Sequence, residues 1–135
     1  MPENLPDSLL ATRELAESFL STAIKPLEDL VDEAAPVPKE IQERVREVSK
    51  EAGFFYKTQP TEYGGSPAGT LELTMLRELW SASNSRLTAY IFGPGPGILH
   101  AAQGHLKENY LDPVMRGEKR GAFGFTEADT AKRPS

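Results

Sequence analysis

The chain has 135 residues, 39% of them apolar and 26% charged, which suits one globular domain with its own core. The net charge is −5, and residues 1–52 hold 6 Lys and Arg against 12 Asp and Glu, which speaks against nucleic-acid binding because that needs clustered cations. The sequence has no cysteine, which excludes disulfides and a cysteine-ligated zinc. It has no apolar run of about 18 residues, which excludes a membrane span, and no basic leader, so it predicts a cytoplasmic protein.

The first predicted element is an amphipathic helix near the N-terminus. It begins at Asp7 or Ser8, either of which can cap the first turn with a side-chain oxygen. An apolar stripe continues it at steps of four, three and four, through Leu20, Ile24, Leu27 and Val31. Pro26 removes one backbone donor, so we expect it to kink this helix or split it in two.

A second amphipathic helix follows the Pro-rich break at residues 34–38. Its inward positions are Ile41, Val45 and Val48, and Gly53 is the expected residue at its C-terminal end. The segment after it, residues 58–65, holds a proline and a glycine pair, which predicts a structured loop with tight turns.

The second half of the sequence predicts further helices and then one strand. A third helix spans residues 70–83 and is apolar on two sides, which indicates a central position. Shorter helices are predicted over residues 98–103 and 106–115, and Gly117 ends the last. Residues 119–126 read as a strand. The predicted fold class is therefore all-α, a bundle of five or six helices with one short C-terminal strand.

Two other features resemble chemical motifs but fit them poorly. The run Gly93-Pro-Gly-Pro-Gly97 lacks the spacing of a phosphate-binding loop, and its prolines remove two of the N–H donors that such a loop needs. It predicts a turn. His100 and His105 are five residues apart with Gly104 between them, which disagrees with the i, i+4 spacing of a helical metal pair. We predict no metal site.

The aromatic segment near the C-terminus is the best candidate for ligand contact. Gly124 separates Phe123 from Phe125, and glycine permits close approach of a planar group. Thr126 adds a hydroxyl at the predicted strand end, where small ligands often bind. Glu127 follows, but an exposed carboxylate on a turn is usually solvated, and we do not assign it as a catalytic base.

The order of these features resembles the acyl-CoA dehydrogenases, flavoenzymes with an N-terminal helical domain, a middle β domain and a C-terminal helical domain. Four segments carry the resemblance: Ile24-Lys-Pro-Leu27, the loop over 53–65 with Pro-Thr-Glu-Tyr-Gly-Gly, Lys107-Glu-Asn-Tyr-Leu-Asp-Pro-Val-Met-Arg-Gly-Glu118, and Phe123-Gly-Phe-Thr-Glu127. The resemblance implies an N-terminal helical domain over residues 1–118, and over 119–135 the first strand and turn of a middle β domain.

The cofactor that the resemblance implies is FAD. The residues implied to contact it are Phe123, Gly124, Phe125, Thr126, Thr130 and Ala131. Lys132 stands where the family has a serine that contacts cofactor and acyl-CoA, which makes it the candidate for substrate binding. Ala128 replaces the family's proline and Arg133 its aspartate, so the end of this signature departs from the pattern.

The resemblance implies α,β-dehydrogenation of an acyl-CoA, in which a glutamate removes the α-proton and the flavin accepts the β-hydride. That glutamate belongs to the family's C-terminal domain, so none of these 135 residues is expected to be catalytic and the chain alone is expected to be inactive. It would contribute to the acyl-CoA pocket, with its helices near residues 86–103, and to the flavin site of an intact enzyme of fatty acid metabolism.

The implied partners are an acyl-CoA, an electron-transfer acceptor, and the β and C-terminal domains in cis or in trans, and homo-oligomers are left open. No nucleic-acid or membrane partner is expected. The alternative is a non-catalytic helical interaction module, or a subunit of a split protein, that keeps the fold without binding flavin. The departures at Ala128, Lys132 and Arg133 favour that alternative.

Overall fold

The computed structural model describes residues 5–122, and within that range the chain is helical and contains no strand. Five α-helical segments follow one another: α1 (Asp7–Phe19), α2 (Lys25–Glu28), α3 (Lys39–Glu51), α4 (Thr70–Ala82) and α5 (Asp112–Met115). Short 3-10 turns occupy Phe54–Thr58, Thr61–Tyr63, Arg86–Tyr90 and Gly97–Ala101. The all-α prediction is confirmed.

Two π-helical turns each precede a proline. Leu20–Ile24 joins α1 to α2 ahead of Pro26, and Lys107–Leu111 leads into α5 ahead of Pro113. A proline in a helix removes one N–H donor and crowds the carbonyl four residues earlier, and a wider turn relieves that crowding. The predicted interruption at Pro26 is therefore a widened turn within a helix that continues, and not a complete break.

Pro113 has no N–H to donate to the carbonyl oxygen of Asn109, four residues earlier. The Nζ of Lys119 donates to that oxygen instead, at 2.7 Å. The same ammonium lies 5.1 Å from the centre of the Tyr110 ring. Lys119 thus holds the segment after α5 against the turn before it.

Three predictions differ from the structure. Helix α1 begins at Asp7, but its capping residue is Pro6, which has no side-chain acceptor, so no side-chain hydrogen bond caps the first turn. The helix predicted over residues 98–103 is a single 3-10 turn, which follows Gly97 at φ 54°. In the predicted strand, residues 119–122 are irregular, and residues 123–126 lie outside the described range.

The core lies between α1, α3 and α4, as the apolar stripes predict. Ile24, Val45, Met75 and Leu76 are at most 1% exposed, and Gly53 ends α3 in the left-handed conformation at φ 81°. Aromatic rings fill the centre: Phe54 lies 5.0 Å from Phe19 and 5.3 Å from Trp80, between ring centroids. Helix α4 is therefore central, as its two apolar sides predict.

We predict that Phe54→Leu lowers the free energy of unfolding by about 1–2 kcal/mol, because it removes buried volume and two aromatic contacts. The measurement is urea unfolding followed by the fluorescence of Trp80, the single tryptophan. Leu15→Ala is the control, since Leu15 is 56% exposed and its loss should cost less than about 0.5 kcal/mol. Equal losses in the two variants would contradict the assignment of the core.

The connection between α2 and α3 is held by Arg86. Its guanidinium donates to the carbonyl oxygens of Glu33 at 2.6 Å and of Ala35 at 2.8 Å.

Among the helices in the described part of the chain, none is long and apolar enough to cross a membrane.

Candidate functional site

Two loops and a helix that are far apart in sequence meet at the side chain of Gln59. This side chain is 1% exposed. Its Nε2 donates to the carbonyl oxygen of Met115 at 2.7 Å and to that of Pro94 at 3.2 Å. One amide group thereby joins the loop after α3, the glycine-proline run at residues 93–97 and helix α5. We call this arrangement the Gln59 junction.

Further hydrogen bonds within the Gln59 junction fix the glycine-proline run. The Oγ1 of Thr58 donates to the carbonyl oxygen of Gly93 at 2.7 Å, and the N–H of Gly93 donates to the carbonyl oxygen of Phe55 at 2.9 Å. A Cβ on Gly93 would lie 2.7 Å from both the Phe55 carbonyl oxygen and the Gln59 Nε2. Only glycine permits this close approach. The hydrogen bonds with Thr58 and Phe55 therefore fix the backbone at residue 93.

Each of the two glycines at the end of the Pro-Thr-Glu-Tyr-Gly-Gly string is required for a different structural reason. Gly64 has φ 80°, the left-handed region that closes the 3-10 turn Thr61–Tyr63. Gly65 has no positive φ, but a Cβ there would lie 2.0 Å from the carbonyl oxygen of Gln59. The loop therefore folds back on its own start, which positions Gln59 for its two long-range bonds.

We predict that Thr58→Val lowers the free energy of unfolding by about 1 kcal/mol, because the isosteric change removes one hydrogen bond to a buried backbone carbonyl. Thr61→Val is the matched control. It makes the same change in the exposed turn of the same loop, where the described residues form no side-chain hydrogen bond with Thr61, and it should have little effect. Urea unfolding of both variants gives the comparison, and a Thr58→Val protein as stable as the parent would contradict the assigned bond.

Charged groups surround the Gln59 junction without entering it. Arg116 donates through Nε and Nη2 to the two carboxylate oxygens of Glu118 at 2.6 and 3.0 Å, and this hydrogen bonding lowers the pKa of Glu118. The Tyr63 hydroxyl lies 3.2 Å from Nδ1 of His100. Desolvation, followed by the neighbouring Glu62 carboxylate, raises the pKa of Tyr63. These groups form a polar rim around a buried centre.

The sequence-predicted ligand residues do not lie in the described part of the chain. Phe123, Gly124, Phe125, Thr126, Thr130, Ala131 and Lys132 all fall outside residues 5–122. Among the described residues, no group of three or more His, Asp or Glu side chains is arranged to hold a metal ion. Two of the three described segments that carried the family resemblance come together, since residues 53–65 and 107–118 both contribute to the Gln59 junction.

Comparison with protein families identifies the family of the chain. The family model described as the acyl-CoA dehydrogenase N-terminal domain matches residues 6–118. The chain belongs to the acyl-CoA dehydrogenase family. The Gln59 junction therefore lies within an acyl-CoA dehydrogenase N-terminal domain, and the glycine pair and α5 that form it are part of that match.

Curated relatives are acyl-CoA dehydrogenases and reductases, which makes this an oxidoreductase family. The chain is 35% identical to 3-(aryl)acrylate reductase of Clostridium sporogenes over 85% of its length and 30% of the relative's. It is 29% identical, over the same shares, to the caffeyl-CoA reductase-Etf complex subunit CarC of Acetobacterium woodii. Glutaryl-CoA dehydrogenase of Desulfococcus multivorans is 30% identical over 96% of the chain and 34% of the relative.

The chain spans about a third of the length of these curated relatives. No solved structure gave a significant match. The family and its fold class are established by the family match over residues 6–118.

Reading the sequence missed two features of the Gln59 junction. Gln59 carried no signal of its own, because glutamine before proline in a loop is ordinarily exposed. Gly93 was read only as part of a turn, and its contacts with residues near position 55 depend on long-range packing.

Proposed function

We propose that this chain is the N-terminal helical domain of an FAD-dependent acyl-CoA dehydrogenase-like oxidoreductase. Its part in such an enzyme is to form one wall of the acyl-CoA pocket and to begin the flavin site. Residues 1–118 constitute the helical domain in this proposal, and residues 119–135 lead into a middle β domain.

The observation that carries the proposal is the Gln59 junction. Phe55 and Thr58 hold Gly93 from two sides, and Gln59 ties the same run to α5. A pocket wall must keep its shape while a ligand enters and leaves, and loops bonded to each other meet that need better than free loops. The junction also sets where the chain leaves α5 toward the predicted flavin-contact residues.

In this proposal FAD, when bound, supplies the two-electron chemistry. Its expected contacts are Phe123, Gly124, Phe125, Thr126, Thr130 and Ala131, with Lys132 toward the substrate. The described residues 5–122 include none of these, so their proposed contribution is to the wall of the acyl-CoA pocket and to the position of the segment that follows α5. The named relatives include both reductases and dehydrogenases, and the direction of the reaction is left open.

The partners proposed for the whole protein follow from the same family. One relative's name places it in a complex with Etf, which supports an electron-transfer partner for this protein as well. An acyl-CoA is the proposed substrate, and a role in fatty acid metabolism and a cytoplasmic location remain proposals. Homo-oligomers are not assigned from the described residues.

A chimera tests the proposal. Residues 6–118 of this chain replace the matching part of the Clostridium sporogenes 3-(aryl)acrylate reductase, and the purified product is assayed for bound flavin and for reduction of the parent's substrates. We expect a folded chimera that retains flavin and turns over, because the replacement supplies the same domain.

The control is the same chimera with Gly65→Ala, which keeps every polar group but disturbs the Gln59 junction and should lose turnover. A chimera that folds but no longer retains flavin would contradict the proposal that residues 6–118 supply the same domain. The interaction-module alternative is tested separately by mixing the 135-residue chain with FAD and following flavin fluorescence anisotropy. Because most of the flavin site is expected elsewhere, we expect at most weak binding, and tight binding would rule out a module that cannot bind flavin.

A further inference from the structure

Two arginines from different segments lie against one tyrosine ring. Arg46 projects from α3, and Arg120 comes from the segment after α5. Their guanidinium carbons lie 5.6 Å and 5.1 Å from the centre of the Tyr90 ring. Both distances are within the range of cation–π contact, so the ring holds two positive charges beside it.

Neither of these two arginines forms an ion pair with another described residue. Within residues 5–122, no carboxylate oxygen lies within 4 Å of either guanidinium, although Glu43 acts on Arg46 from a greater distance, and Glu43, Glu47 and Glu118 line a neighbouring groove with both arginines. Among residues 5–122, the one hydrogen-bond acceptor of Arg120 is the neutral amide oxygen of Gln42, at 2.8 Å. Burial and then repulsion by Arg120 lower the pKa of Arg46. Two like charges held together in this way favour an anion between them.

The space beside the two arginines is large enough for a small organic molecule. A groove of about 500 Å³ opens there, within the usual range for ligand pockets. Its apolar side is formed by Phe55, Tyr90, Phe92 and Pro94. Its charged side is formed by Arg46, Lys119 and Arg120, and no carboxylate is among the described lining residues. Because Lys119 already donates to the Asn109 carbonyl oxygen, the two arginines are the side chains that can donate hydrogen bonds to an anion in this groove.

We propose that this groove binds a small carboxylate that carries a flat apolar or aromatic body. The carboxylate would accept hydrogen bonds from Arg46 and Arg120, and the apolar body would lie along Phe92 and Pro94. An arginine fork matches the geometry of a carboxylate, and the apolar side favours an organic acid over an inorganic anion. The site goes beyond the proposed function, because it requires neither flavin nor the rest of an enzyme.

The test is an NMR titration of the full 135-residue chain with 3-phenylpropionate, followed at the arginine Nε–H signals. We expect saturable shifts of the Arg46 and Arg120 signals. The neutral 3-phenylpropionamide and inorganic phosphate are expected to bind at least about tenfold more weakly, since each lacks one half of the recognised chemistry. Phosphate binding as tightly as the acid would overturn the proposed ligand class.

Variants then locate the site. Arg46→Gln and Arg120→Gln should each weaken binding of the acid by about tenfold, the loss expected for one charge-assisted hydrogen bond. Arg44→Gln is the matched control on the same helix, where Arg44 pairs with Glu47 at 3.1 Å, and it should leave binding unchanged. Circular dichroism checks that each variant is folded. Absence of saturable shifts in the parent chain, or equal weakening by all three variants, would overturn the proposal whatever the outcome of the chimera.

Discussion

Gly65→Ala is expected to lower the free energy of unfolding by about 3 kcal/mol or more, the upper range for overpacking. The added Cβ would lie 2.0 Å from the carbonyl oxygen and 2.4 Å from the carbonyl carbon of Gln59. These are backbone atoms, so no side-chain rotation relieves the overlap. The loop must open instead, which moves Gln59 away from Met115 and Pro94. Urea unfolding measures the loss.

Two other glycines provide graded controls. Gly64→Ala meets no atom within 4 Å but must adopt a left-handed backbone, which should cost about 1 kcal/mol. Gly95→Ala meets no atom within 4 Å and needs no positive φ, so its effect should stay below about 0.5 kcal/mol. If Gly65→Ala were no more harmful than Gly95→Ala, the close return of this loop would be wrong.

Gln59→Leu is expected to lower the free energy of unfolding by about 3 kcal/mol, because it leaves the carbonyl oxygens of Met115 and Pro94 without their donor. Gln59→Glu should be more harmful at pH 7, since it places a negative charge against those two oxygens. Its harm should diminish as the pH falls through the raised pKa of the buried carboxyl and be smallest below about pH 4.3, the ordinary pKa of a glutamate, because the protonated acid can donate one bond. Urea unfolding at both pH values tests this dependence.

The sign of that pH effect follows from linkage. Burial beside two carbonyl oxygens raises the pKa of the introduced carboxyl in the folded state above its unfolded value. The variant therefore loses stability as the pH rises from the unfolded pKa, and the loss is complete above the folded pKa. Gln103→Leu is the control, because Gln103 is exposed, and it should change stability by less than about 0.5 kcal/mol at either pH. A pH-independent Gln59→Glu variant would contradict the assigned environment.

Much of the helical core was predictable because it depends on local periodicity. The spacing of Ile41, Val45 and Val48 predicted α3 and its inward face, and the apolar sides of residues 70–83 predicted a central α4. Gly53 and Gly117 were predictable helix ends for the same reason, since each needs a positive φ just past a helix. These signals lie within a few residues of the structure they specify.

The Gln59 junction was not predictable in this way. Its bonds join residues 35 and 56 positions apart, and no local pattern indicates which buried carbonyls a glutamine will reach. The short 3-10 turn at Gly97–Ala101 was missed because apolar residues after a glycine suit either kind of helix. The FAD and substrate contacts at residues 123–132 depend on the family resemblance and remain predictions.

The bonds of Gln59 also bear on the order in which the chain can become stable during synthesis. The Nε2 group is placed as soon as the loop after α3 folds, yet its 2.7 Å acceptor is supplied by Met115, 56 residues later. Until that residue leaves the ribosome, the Nε2 donor can bond only to water or to the Pro94 carbonyl, at 3.2 Å in the complete fold. The helices can pack earlier, but the domain completes its hydrogen bonding only when α5 docks. Helix α5, although only four residues long, therefore serves as the closing element of the fold.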